Sequence, residues 1–111
     1  MGITKSEIYT KQQNEIAQIA KVIGHPARVA ILEHLFKAQS CICGDLVEEI
    51  GLAQPTISQH LKELKNMGFI KGTIEGTSVC YCIDETNWES MQQVLTSFIT
   101  QNPSSKNKNC C

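Results

Sequence analysis

The sequence predicts a mainly α-helical domain that carries one β-hairpin before its last helix. Two observations lead to this prediction. Apolar residues recur at helical spacing in four stretches between residues 4 and 67. Over residues 69–83 the pattern changes to the period of two residues that is typical of a strand. A final apolar stripe at helical spacing follows over residues 87–100. The predicted order of elements is therefore α-α-α-α-β-β-α.

Each of the first two predicted helices has one apolar face. The helix over residues 4–24 has this face at Ile16, Ile19, Ala20 and Ile23. The helix that begins at Pro26 and ends near residue 36 has it at Val29, Leu32, Leu35 and Phe36. Residues 37–44 lack such a pattern and are predicted to form a linker.

A short helix, a tight turn and a longer helix follow the linker. The short helix begins after Asp45, which resembles a capping box with Glu48, and it ends at Gly51. The longer helix spans residues 55–67, with Ile57, Leu61 and Leu64 facing inward. Two helices joined in this way form a helix-turn-helix, and a hairpin directly after them forms a wing. The predicted fold is therefore a winged helix-turn-helix.

Length, charge and hydropathy limit the class of protein. The 111 residues suffice for one domain, predicted over residues 1–100, with a disordered polar tail over residues 101–111. A net charge of −1 excludes a protein that binds nucleic acid by bulk charge. The N-terminus lacks the apolar core of a signal peptide, and no apolar run is long enough for a membrane span, so we expect a cytoplasmic protein. Neither a glycine-rich phosphate loop nor a nucleophile–histidine arrangement indicates an enzyme.

The polar face of the helix over residues 55–67 is typical of a DNA-reading helix. Its N-terminal half is rich in amide and hydroxyl side chains, which can bond base edges. Three lysines nearby can meet phosphates. The predicted DNA contacts are Gln54, Thr56, Ser58, Gln59, His60, Lys62, Lys65 and Lys71. For His60 an alternative is a half-buried histidine with a hydrogen-bonding role.

The six cysteines form three close pairs, which indicate metal, metalloid or redox chemistry in a reducing compartment. Cys41 and Cys43 can chelate one ion only if their segment is extended, because residues two apart share one side of a strand but not of a helix. Cys110 and Cys111 are candidates for additional ligands. Cys80 and Cys82 share one face of a predicted strand, either as ligands or as small packing residues.

Three segments within roughly residues 15–100 carry a resemblance to a known family, and they are GHPARVAIL, CICGDLVEEIGLAQPTISQHLKELKNMGFI and EGTSVCYCID. They resemble the ArsR/SmtB family of bacterial metal-sensing repressors. The resemblance implies a winged-helix homodimer that pairs through its first and last helices. It also implies repression by binding to operator DNA and release by an inducer, with Gln54, Thr56, Ser58, Gln59 and His60 in the recognition helix. Ala53 replaces the hydroxyl cap that is usual before this helix.

The Cys-x-Cys motif resembles that of arsenic-sensing members, with Gly44 inserted before Asp45. Soft thiolates favour soft ions, so the expected inducer is As(III) or Sb(III), ahead of cadmium and zinc. No cofactor is expected for DNA binding. The resemblance leaves a thiol-redox or persulfide-sensing repressor of the same fold as an alternative. A winged helix that contacts proteins rather than DNA is a second alternative.

Overall fold

The computed structural model describes residues 5–39, 41–43, 51–73 and 80–103. Within these ranges the chain forms four α-helices and three short strands. In chain order they are α1 (Lys11–Ile23), α2 (Pro26–Ala38), β1 (Ile42–Cys43), α3 (Gln54–Met67), β2 (Ile70–Thr73), β3 (Cys80–Ile83) and α4 (Glu85–Ile99). A 3₁₀ helix at Lys5–Ile8 precedes α1. The predicted short helix after Asp45, the wing turn and the end of the tail lie outside the described residues.

Side-chain caps set the beginnings of α1 and α2. The Thr10 hydroxyl accepts a hydrogen bond from the Gln13 backbone N–H, and the Gln13 side chain accepts one from the Thr10 N–H. This capping box divides the single helix predicted over residues 4–24 into a 3₁₀ helix and α1. His25 caps α2, since its Nδ1 accepts the Ala27 N–H at 3.1 Å, directly before Pro26.

The helices enclose an aliphatic core with few aromatic side chains. Its buried members are Ile19, Val22, Ile31, Leu32, Leu35, Ile57, Leu61, Leu64, Phe69, Ile70, Tyr81 and Met91. The predicted face of α3 is confirmed, because Ile57, Leu61 and Leu64 are all buried. The predicted faces of α1 and α2 are partly wrong. Ala20 is exposed and Val22 is buried in α1. In α2, Val29 and Phe36 are exposed, whereas the fully buried residue is Ile31.

The sheet is antiparallel, with the strand order β1-β3-β2. The predicted hairpin is confirmed as β2 and β3. The prediction of a linker over residues 37–44 is wrong in part, because Ile42 and Cys43 form β1 against Tyr81 and Cys80. Two residues are too few for an alternation pattern, so only the pairing with β3 identifies them as a strand. The pairing brings the segment before the predicted helix-turn-helix onto the wing strand.

The glycine at Gly72 allows the close approach of β2 to β3. Its φ is +120°, and a Cβ built at this position would lie 2.9 Å from the Tyr81 Cα and closer still to the Cys80 carbonyl oxygen. An L-residue rarely adopts this backbone conformation, and the neighbouring atoms belong to the backbone of β3. The register of the hairpin therefore depends on glycine at this position.

Candidate DNA-binding and thiol sites

The polar face of α3 lies at the surface, opposite the buried face of the same helix. Gln54, Thr56 and Gln59 are exposed at its N-terminal half, and Ser58 is half-buried. The amide of Gln54 donates to the Ser58 hydroxyl at 3.1 Å, and the amide of Gln59 donates to Glu63 at 3.3 Å. The two partners of each hydrogen bond lie one turn apart along the helix. Because they are at the surface, these side chains can replace the hydrogen bonds to each other with hydrogen bonds to the edges of DNA bases.

The three lysines of the predicted DNA-binding surface are exposed. Lys62 and Lys65 lie on α3, and Lys71 lies on β2, in cross-strand register with Cys82. β2 begins at Ile70, shortly after α3 ends at Met67. The positive charges therefore extend from the helix onto the sheet.

His60 does not lie on this exposed face. Its side chain is 8% exposed, and its Nδ1 accepts a hydrogen bond of 3.1 Å from the Arg28 Nε. The ring centroid is 4.4 Å from that of His25. Burial, and then the charges of His25 and Arg28, lower the pKa of His60 below its usual 6.5, which favours the neutral acceptor form. The alternative of a buried hydrogen-bonding histidine fits this geometry, and we leave His60 out of the set of DNA contacts.

The first turn of α3 has no side-chain cap. Ala53 adopts the extended conformation of an N-cap residue, but its methyl group cannot accept a hydrogen bond. The Thr56 N–H donates to the Ala53 carbonyl at 3.1 Å, and Pro55 has no N–H to satisfy. The helix that carries the predicted base contacts therefore begins without the stabilisation that a hydroxyl or carboxylate side chain supplies.

Ala53→Ser is expected to raise the free energy of unfolding by about 1 kcal/mol, because a serine hydroxyl at the N-cap can accept the Thr56 N–H. Urea unfolding followed by circular dichroism measures the change. Ala53→Val is the control, since valine offers no acceptor and should give no gain. Equal midpoints for the serine and valine variants would contradict this account of the first turn.

The two Cys-x-Cys motifs, at residues 41–43 and 80–82, lie at the adjacent strands β1 and β3. Cys43 and Cys80 are cross-strand partners with a Cα–Cα distance of 4.1 Å, and they are joined as a disulfide. Cys41 and Cys82 are free thiols joined by a hydrogen bond between their side chains. This hydrogen bond, and then burial, raise the pKa of the Cys82 thiol. Chelation by Cys41 and Cys43 requires a segment that is not helical, and Ile42–Cys43 form a strand.

The alternation of side chains orients these cysteines. Tyr81 is fully buried and Ile42 packs against the core, so their neighbours along the strands point to the opposite face of the sheet. Among the described residues, no group of three or more His, Cys, Asp or Glu side chains is arranged to hold a metal ion. Cys110 and Cys111 lie outside the described residues. In the same ranges, none of the helices has the length and hydropathy to span a membrane.

Comparison with known proteins identifies the family. The profile described as "Bacterial regulatory protein, arsR family" matches residues 25–71. The biofilm growth-associated repressor of Xylella fastidiosa (strain Temecula1) is 30% identical over 82% of this chain and 80% of its own. The arsenical resistance operon repressor of Staphylococcus xylosus is 31% identical over 73% of this chain and 77% of its own. The chain belongs to the ArsR family.

A solved structure supports the same conclusion from the fold. Reduced HlyU from Vibrio cholerae superposes with a TM-score of 0.60 at 25% identity, over 82% of this chain and 95% of that chain. The predicted winged helix-turn-helix is therefore confirmed. This ArsR-family protein is a DNA-binding transcriptional repressor and not an enzyme.

Sequence reasoning missed the juxtaposition of the two Cys-x-Cys motifs of this ArsR-family chain. Both motifs have the spacing of alternate residues, which matches the period of a strand. That shared period was the available signal, but it could not indicate which strands would be neighbours. The pairing of β1 with β3 brings the motifs together.

Proposed function

We propose that this repressor binds operator DNA as a homodimer and is released when arsenite, antimonite or a similar thiophilic ion binds Cys41 and Cys43. The observation that carries the proposal is the strand conformation of Ile42–Cys43, since the segment that holds the two thiols is therefore not helical. In a strand, residues two apart point to the same side at a separation of about 6.6 Å, which rotamers can shorten to the span of one ion. In a helix the two thiols would diverge.

The DNA-binding half of the proposal relies on the exposed face of α3. Gln54, Thr56, Ser58 and Gln59 are placed for base edges near the helix N-terminus, the part that enters the major groove in such motifs. Lys62, Lys65 and Lys71 would contact phosphates and set the orientation. No cofactor is required for this step.

The homodimer would form through α1 and α4, which contact each other. Large apolar side chains are exposed in the single chain just before α1 and at the end of α4, namely Ile8, Tyr9, Phe98 and Ile99. Exposed apolar side chains of this size favour burial against a second surface. We therefore assign the pairing surface to the first and last helices.

The inducer would act through the sheet. β1 pairs with β3, β3 pairs with β2, and β2 follows α3 after two residues. An ion that changes the side-chain arrangement on β1 therefore acts on a sheet that is continuous with the recognition helix. The arsenical resistance operon repressor of Staphylococcus xylosus supports arsenite as the first ion to test.

The test is a titration of the DNA complex with arsenite, cadmium and zinc separately. The probe is a duplex that the protein selects from a random-sequence pool, and the buffer contains a phosphine reductant, because thiol reductants would compete for the ion. We expect arsenite to release the wild type, and Cys41→Ser/Cys43→Ser to stay bound while keeping its affinity for DNA without the ion. Release of Cys41→Ser/Cys43→Ser at the same arsenite concentration would overturn the proposal.

A thiol-redox or persulfide-sensing repressor is a second candidate, and the Cys43–Cys80 disulfide favours it. Two thiols and one peroxide would give the disulfide and two water molecules, with two electrons passing to the peroxide. A peroxide arm and a persulfide arm in the same titration, without reductant, test this candidate. Release by an oxidant but by none of the three ions would favour it over the metalloid repressor.

A further inference from the structure

Two cysteines flank Ile42 and two flank Tyr81, and Ile42 and Tyr81 face the core, so alternation places all four cysteines on the other face of these two strands. We propose that Cys80 and Cys82 on the wing strand supply the remaining ligands for the thiophilic ion, so that the site has three or four sulfurs from two adjacent strands. This inference rests on the proposed binding of the inducer at Cys41 and Cys43. It names a ligand source other than the C-terminal cysteines.

The register of the sheet arranges the four cysteines as two neighbouring cross-strand pairs. Cys43 is paired with Cys80 and Ile42 with Tyr81, so the same register continued by one residue places Cys41 opposite Cys82. The Cα–Cα distance of 4.1 Å at Cys43 and Cys80 is that of a narrow pair, in which the two side chains approach most closely. Narrow pairs recur at every second residue, and the hydrogen bond between Cys41 and Cys82 agrees with this.

The four-cysteine group has the donor chemistry that thiophilic ions require. Arsenite in water is As(OH)₃, and its reaction with three thiols gives As(SR)₃ and three water molecules, with no change in oxidation state. The pair Cys43 and Cys80 would supply two sulfurs at contact distance, and Cys41 or Cys82 would supply the third. Cadmium or zinc would take all four, displacing four protons, since these ions favour four-coordinate thiolate sites.

The disulfide and the bound ion exclude each other. The Cys43–Cys80 disulfide uses two of the four sulfurs, so the ion can bind only to the reduced protein. The disulfide-joined form accordingly has, among the described residues, no group of three or more side chains arranged to hold a metal ion. Oxidised protein should therefore bind no arsenite until a reductant is added.

The site lies beside a predicted phosphate contact. Lys71 is the cross-strand partner of Cys82 on β2, so the two side chains share one face of the sheet. A change in the position or charge of Cys82 on ion binding would act directly on Lys71. The wing strand would thus connect the inducer to the DNA-binding surface, in addition to any effect through α3.

The experiment compares two double variants of the full chain. Cys80→Ser/Cys82→Ser removes the ligands on the wing strand, and Cys110→Ser/Cys111→Ser is the matched control that removes the tail cysteines. Arsenite and cadmium are titrated under a phosphine reductant. The readouts are ion affinity, the number of thiols protected from alkylation per bound ion, and the cadmium–sulfur coordination number by X-ray absorption.

We expect the wild type and the tail variant to protect three thiols per arsenite and to show four sulfurs around cadmium. Loss of a residue that only orients a metal ligand lowers metal affinity by about tenfold or more, and loss of a ligand itself should lower it at least as much. We therefore expect the ion affinity of the wing-strand variant to fall by about tenfold or more. Unchanged DNA affinity without ion, for every variant, shows that the substitutions leave the fold intact.

Two results would overturn the inference and are distinguishable. If the wing-strand variant binds like the wild type while the tail variant loses affinity, the tail supplies the ligands and Cys41 and Cys43 keep their proposed role. If Cys41→Ser/Cys43→Ser also binds like the wild type, the proposed inducer site fails together with this inference.

Discussion

Leu64→Ala is expected to lower the free energy of unfolding by about 2–5 kcal/mol. Leu64 is completely buried at the C-terminal end of the core face of α3, and it belongs to the cluster of buried side chains that also includes residues of α1, α2 and the sheet. The loss combines the transfer of the removed methyl groups with the cavity they leave. A small domain has a total stability of about 5–15 kcal/mol, so this is a large fraction. Urea unfolding at a fixed protein concentration measures it.

The adjacent residue gives the matched control. Lys65 is exposed on the same helix, so Lys65→Ala should change the free energy of unfolding by less than about 0.5 kcal/mol. It should instead weaken binding to the selected duplex and make the dependence of affinity on log salt shallower by roughly 1. Equal stability losses in the two variants, or an unchanged salt slope for Lys65→Ala, would contradict the assignment of the two faces of α3.

Gly72→Ala is expected to cost about 3 kcal/mol or more, because strain in a glycine-only region adds to contact with the backbone of β3. Gly72 has a φ of +120°, and its added Cβ would meet the Cys80 carbonyl oxygen and the Tyr81 Cα. The atoms in the way belong to a paired strand and cannot rotate aside. The substitution should therefore separate β2 from β3 and lower the thermal midpoint.

Gly51→Ala separates the cost of the backbone conformation from the cost of steric contact with a neighbouring strand. Gly51 also has a positive φ, of +84°, but no atom of the described residues would lie within 4 Å of an added Cβ. Its alanine variant should therefore show only the cost of the left-handed backbone, roughly 1–2 kcal/mol. If both alanine variants unfold at the same urea concentration, steric contact with β3 is not what requires glycine at position 72.

The sequence predicted α3 and the hairpin well because their signals are local. Pro55 and Gly68 mark the ends of the helix, and the apolar residues at helical spacing between them are the ones that the core buries. Gly68 ends the helix with a φ of +92°, and its N–H bonds the last carbonyls. Backbone chemistry at these positions admits few other conformations. The exposed polar face follows from the same periodicity.

The sequence was less informative where a choice between faces depended on packing partners. The helix α2 contacts α1, α3 and β3, and within it Ile31 is buried while Val29 and Phe36 remain exposed. Phe36 instead contacts the edge of Trp88, with ring centroids 4.9 Å apart. The apolar residues of α2 lie around much of the helix circumference, so the sequence pattern of this one helix cannot indicate which of them will be buried.

By itself the sequence determined the helix-turn-helix, the hairpin and the chemical character of both sites, because caps, breakers and apolar periods act over a few residues. Only the tertiary structure decided where β1 pairs, that Cys43 and Cys80 are opposite each other, and that His60 is buried against Arg28. These facts depend on contacts between residues 32 or more positions apart. Such contacts follow from how complete elements pack, and no spacing within one element specifies them.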